Sequence, residues 1–188
     1  VSRAPDADPR PLTAEPLAID LLNTRWIDGT TRYDLLDSLD GLTVWLSSAP
    51  VVDALGSALD ADQETLDHLL QARTALDAVI GNPAPTTPAA DALNAVLEHG
   101  RLRRTLGPDG PHSAIEVDAP SWLPAWCAAE NYLRLLADRP ERIRPCANDA
   151  CVLHFYDVSK NGTRRWCSMA GCGNRAKAQR HYARHGGA

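Results

Sequence analysis

Four of the chain's five cysteines, Cys146, Cys151, Cys167 and Cys172, form two pairs with four residues inside each pair and fifteen between them. Close pairs of thiolates are the donor set of tetrahedral zinc: each pair offers two ligands from one turn, and the chain between them returns to close the site. In a reducing compartment that clustering points to a metal rather than to disulfides. The competing reading is four unliganded structural thiols. The equal spacing and the small apolar content argue against it, because a unit of about 40 residues cannot fold on its own core and a bound zinc would supply on the order of 10 kcal/mol. His154 and His181 are further donors in the same segment, although four cysteines already satisfy the metal. The fifth thiol, Cys127, sits beside Trp126 on an apolar helical stripe and reads as a core residue.

The elements that must hold these thiols can be read around them. Between the pairs, residues 152–156 and 163–166 look like two strands joined at Asn161-Gly162, a strong hairpin signal. After Cys172, residues 173–185 hold helix-forming types and no proline. One ligand pair before a hairpin and one at the entry to a helix is the treble-clef type of module. On the expected helix Lys177, Arg180, His181 and Arg184 share a face. With Arg164, Arg165 and Arg175 they make a candidate surface for DNA phosphates, with arginine able to read a base edge.

The whole-chain charge hides this surface. The formal net charge of −5 speaks against nucleic acid. Yet residues 139–188 carry ten Lys/Arg against three Asp/Glu, a formal +7 that four thiolates and one Zn²⁺ lower by two to +5. Residues 1–138 carry nine basic and 21 acidic groups, a net −12. The bland alternative is a solvated basic surface, or one paired with the acidic part of the chain.

Tryptophan and leucine spacing places a series of amphipathic helices ahead of the cysteines. Residues 1–14 read as a flexible arm, and helices are expected over 17–25, from an Asp34 cap to Pro50, over 61–80, from Thr87 to Gly100, and from a Ser121 cap to 138 with Trp122, Trp126, Leu133 and Leu136 inward. Alternating runs 101–106 and 112–117 flank a Gly/Pro turn and suggest one β-hairpin. The fold class is therefore mainly α: a helical unit over 15–138 with a small hairpin, and a zinc finger over 139–188.

The string Cys172-Gly173-Asn174-Arg175, preceded by Arg165-Trp166-Cys167-Ser168 and followed by Lys177, resembles the CGNR zinc-finger family. Residues 17–25, ending Asn23-Thr24-Arg25, resemble the start of the ABATE domain that commonly precedes that finger in bacterial proteins. The resemblance implies a stress-induced transcriptional regulator. The helical unit would then sense a small molecule, form a homodimer, or restrain the finger through its negative charge. Asn23, Arg25 and Arg73 are the candidates for an anion-accepting pocket, set against the commoner case in which Arg73 packs its stem in the core and is neutralised by a carboxylate such as Asp20.

Other classes fare worse. A four-cysteine zinc has no open position to activate water, and neither a nucleophile elbow nor a telling pair of acids is present, which argues against an enzyme. A protein-binding adaptor that ignores DNA is the alternative to a DNA-binding regulator. No run of about 18 apolar residues would span a bilayer and the first residues do not read as a secretory signal, so the expected location is the cytoplasm, with no membrane partner.

Overall fold

The computed structural model of the protein describes residues 8–56, 59–82 and 84–178. About half of it is helical, with three small antiparallel hairpins. No described helix is long and apolar enough to cross a membrane.

The first helix, α1 (Leu17–Leu22), has no exposed residue. It ends at Leu22, three residues short of the expected span, because Arg25–Asp28 (β1) turns at Gly29-Thr30 and pairs with Thr31–Asp34 (β2). Asp34 does cap, but only a single 3₁₀ turn over Leu35–Asp37. The α-helix expected there restarts at a second cap, Ser38, which accepts the Gly41 N–H, and runs as α2 (Leu39–Leu46). Gly41 lies against the Leu35 carbonyl so closely that a β-carbon would sit 1.6 Å from its oxygen. Pro50 does not stop α2: it lies in the first turn of α3 (Ala49–Leu55), where its missing N–H has no helical partner to lose.

Helix α4 (Gln63–Val79) opens with Asp62 accepting the Thr65 N–H at 2.7 Å and buries Leu66, Leu69, Leu76 and Val79 on one stripe. Helix α5 (Thr87–Leu97) leads into the expected long hairpin, β3 (Gly100–Gly107) and β4 (Gly110–Val117), closed by Pro108-Asp109. Ser121 does not cap the last helix. It sits in a 3₁₀ turn with its hydroxyl buried and unpartnered among the described residues, and α6 (Leu123–Asp138) follows. Trp126 points inward and Trp122 is sandwiched between His68 and His99, with ring centroids 3.6 Å away on each side. Leu133 is 42% exposed, against the expectation that it faces the core.

Helix α1 is tied to its surroundings by polar groups. Asp20, wholly buried, accepts Arg10 at 2.6 Å and the Trp45 indole N–H at 3.0 Å. Burial pushes its carboxyl above the ordinary value, against the pull of Arg10 and Trp45. Arg10 itself is buried, so from residue 8 onward the expected free arm is anchored, while residues 1–7 lie outside the described residues. Residues 143–156 share the same continuous core, with Ile143, Leu153 and Phe155 packed into one cluster with Leu21, Leu69 and Trp126. The Asn23 side chain closes that junction: its amide donates to the His154 carbonyl at 2.9 Å and accepts the His154 N–H at 3.0 Å.

Asn23→Ala leaves both backbone groups of His154 without partners and should lower stability by about 2–4 kcal/mol in denaturant melts of the zinc-loaded protein. An unchanged midpoint would show that the junction is not held by this pair.

Candidate metal centre

Strand β5 (Ile143–Pro145) runs into Cys146 and pairs with β6 (His154–Tyr156) just beyond Cys151. The first cysteine pair therefore sits in the tip of a hairpin: the Cys146 N–H bonds the Leu153 carbonyl at 2.9 Å and the Cys151 N–H bonds the Asn148 carbonyl at 2.8 Å. This corrects the expected hairpin between residues 152–156 and 163–166. The second segment spends its backbone groups elsewhere, with the Arg164 N–H on the Asp157 carboxylate at 3.0 Å and the Arg165 carbonyl on the Ala147 N–H at 2.8 Å. Asn161-Gly162 still forms a turn, with Gly162 at φ +61°. It closes a loop around Asp157 instead of a ladder.

The second pair is held by a wide π-type turn over Met169–Gly173. The Ser168 hydroxyl accepts the Gly171 N–H, the Ser168 carbonyl accepts the Gly173 N–H at 2.9 Å, and residues 174–178 continue as helix. The remainder of the expected helix, with Arg180, His181 and Arg184, lies outside the described residues.

The four sulfurs converge: all lie within 4.8 Å of one another, with Cys151 to Cys167 at 3.8 Å and Cys167 to Cys172 at 3.6 Å. Tetrahedral zinc with Zn–S bonds near 2.3 Å requires sulfurs about 3.8 Å apart, so the donor set and its spacing fit the ion. Cys146, Cys167 and Cys172 are buried and Cys151 is half-buried. Donors surround the sulfurs: the Cys167 N–H points at Cys146 at 3.4 Å, while the Asn148 amide and the Arg175 guanidinium each reach Cys172 at 3.3 Å. Such contacts orient thiolates and offset their charge. Sulfurs this close cannot share their protons evenly. The hydrogen bond from Cys167 holds the Cys151 thiol down to about 5, and the proton that Cys167 gives to that bond is correspondingly hard to remove. A dication in the middle removes that conflict. Cys127 stands apart, its thiol pushed up to about 11 by burial in α6. The His154 ring is not in the cluster.

The other candidate residues separate into two groups. Arg164 is turned inward: its guanidinium lies 4.2 Å from the Phe155 ring centre and donates to the carbonyls of Trp166 and Cys167 and to Glu15 at 3.1 Å. Glu15 also accepts the Tyr156 N–H at 2.9 Å, and burial raises its carboxyl despite these partners. Arg175 is engaged with Cys172 but exposed, Arg165 is exposed over the Trp166 ring, and Lys177 is exposed on the helical segment. Asn174 bonds the Ala170 carbonyl at 3.2 Å. Asn23, Arg25 and Arg73 do not converge. Asn23 is taken by His154, and Arg73 is bound by both oxygens of Asp34 at 2.6 and 2.7 Å and by Thr24 at 2.8 Å. Asp34, not Asp20, neutralises Arg73, because Asp20 is occupied by Arg10. Sequence reasoning missed Glu15 and Arg10, whose burial no local pattern announces.

A closed four-sulfur site on a hairpin tip and a helix-entering turn defines a zinc-finger protein. Residues 142–185 match the family model of the CGNR zinc finger, and residues 15–139 match ABATE, whose description reads "Putative stress-induced transcription regulator". The chain belongs to the ABATE family, with the CGNR zinc finger C-terminal to that domain. No curated protein matches it.

Elemental analysis should find one zinc per chain, and a chelator that removes it should unfold the segment from Cys146 onward. Cys172→Ser, which removes the most deeply buried ligand, should weaken zinc binding by several kcal/mol, out of a site worth on the order of 10. Retention of zinc and melting temperature in that variant would contradict the four-sulfur assignment.

Proposed function

We propose that the protein is a DNA-binding transcription regulator whose zinc finger carries the contact surface; the treble-clef arrangement expected from the sequence loses its hairpin between the ligand pairs, since β6 pairs with β5 instead. The observation that carries this reading is the reversal of charge along the chain, from −12 over residues 1–138 to +7 before metal over residues 139–188. The family description points the same way. Zinc here is structural: four thiolates leave no open position for catalysis, and the metal supplies the rigidity that lets a short helix present its side chains. Arg165 and Lys177 are exposed and project from this frame, and the sequence continues with Arg180 and Arg184 at helical spacing from Lys177. Arg164 is not part of this surface. Its guanidinium braces the chain around Cys167 against Glu15, so its role is to hold the second ligand turn in place.

The acidic half of the molecule gives specificity a physical basis, since a duplex can approach the finger's basic side but is repelled elsewhere. If about four side chains meet phosphates, the slope of log K against log[salt] should be near −4, and Lys177→Ala should weaken binding and lower the slope by about one with zinc content retained. Fluorescence anisotropy with duplex DNA over a salt series measures both. A slope near zero would remove DNA as the partner and leave the protein-binding adaptor.

A further inference from the structure

A cleft of about 470 Å³ separates the β1–β2 hairpin from the finger. One wall is the hairpin, lined from both strands and including Trp26 and Tyr33, and on one of its faces the register sets Arg25 opposite Asp34 and Ile27 opposite Arg32. Arg25 and Arg32 are therefore diagonal neighbours on that face, about 7–8 Å apart at the backbone. The opposite wall is Val152 and His154, directly after the zinc ligand Cys151, and the rim carries Asp37 and Asp77.

Most of the charged side chains in this cleft have no bonded partner among the described residues. The side chains of Arg25, Arg32, Asp37 and Asp77 make no hydrogen bond or ion pair among the described residues, although Asp77 lies close enough to act on His154, while Asp34 gives both oxygens to Arg73. The His154 backbone is held by Asn23 through both its N–H and its carbonyl, and burial shifts the imidazole below its ordinary value, with Asp77 pulling the other way. Two guanidiniums alone would suit a phosphate or a dicarboxylate. Two carboxylates in the same cleft oppose a dianion and supply a place for a cation. Leu22, Ile27 and Val152 line the space with apolar surface. The volume is that of an ordinary small-molecule site.

We infer that this cleft is an effector site for a zwitterionic, amino-acid-like small molecule, its carboxylate between Arg25 and Arg32, its ammonium toward Asp37 and Asp77, and its side chain against the apolar wall. It differs from the Asn23–Arg25–Arg73 pocket expected from the sequence, since Asn23 and Arg73 are committed elsewhere and Arg32, Asp77 and His154 take their place. The inference rests on the regulatory reading for its purpose. Its physical content needs no DNA, so its failure and the failure of DNA binding are separate results. Because the far wall begins at the residue after Cys151, a ligand bridging the cleft would touch the finger and the hairpin together and favour the docked arrangement.

The test uses the zinc-loaded full chain in thermal melts and calorimetry with the proteinogenic L-amino acids, each compared with its N-acetyl and C-amide forms. At least one free amino acid at about 10 mM should raise the melting temperature, and capping either end should weaken it by about tenfold or more. Arg32→Ala and Asp77→Asn, both at exposed positions outside the core, should each weaken binding by about tenfold with unliganded melting temperature and zinc content unchanged. Absence of any shift across the panel overturns the proposal. So does equal binding of the N-acetyl form, or undiminished binding by the Arg32→Ala and Asp77→Asn variants.

Discussion

A six-residue helix with every residue buried offers its polar groups no water, and much of this molecule is arranged around supplying partners to those of α1 and its flanks, although Asp20 Oδ2 has none among the described residues. Asp20 draws in Arg10 from one side and the Trp45 indole from another. The Thr24 hydroxyl oxygen accepts from Arg73, Asn23 pairs with the backbone of β6, and Glu15 accepts from Tyr156 and Arg164. An unpaired buried amide or carboxylate would cost about 1–3 kcal/mol or more each, comparable to a large share of the stability of a chain this size. The path of the N-terminal segment, the tie of α2 to α1 through Trp45 and the docking of the finger all follow from that constraint.

The zinc site depends on a second constraint, the number of groups a short segment can recruit to four close sulfurs. The first pair obtains its geometry from a hairpin that closes behind it, and the second from a π-type turn held by Ser168. Between them Asp157 and Arg164 act as internal fasteners: the carboxylate accepts backbone N–H groups, and the guanidinium donates to the carbonyls beside Cys167. A segment with so little apolar surface of its own thus adds a metal and a few buried ionic groups to the core it shares with the rest of the chain.

The ligand set was legible because its chemistry is local: Cys146, Cys151, Cys167 and Cys172 declare themselves by type and spacing. The long β3–β4 hairpin and the α4 stripe were legible for the same reason, periodicity within one element. What failed was partner choice across the chain. Asn161-Gly162 marks a turn as it should, but the strand that β6 pairs with lies before the first cysteine, because Asp157 captures the N–H that the expected ladder needs. Pro50 marks a helix end in either direction, and only packing decides that it starts α3. Leu133 keeps helical spacing yet is exposed, and the burial of Arg10 has no sequence signature, since it depends on a carboxylate ten residues away in a helix with no free face.

The bond from Glu15 to Arg164 spans 149 positions of sequence and joins the start of one family segment to the ligand loop of the other. The Asn23 pair with His154 does the same across 131 positions. Two segments stitched in this way are not freely interchangeable parts. A recombination that brought a foreign finger onto this N-terminal segment would keep backbone partners for Asn23 but leave the Glu15 carboxylate facing a position that need not hold a guanidinium. Over evolutionary time positions 15 and 164 are therefore tied to each other, and their joint variation among relatives would carry a record of the interface that neither position shows alone.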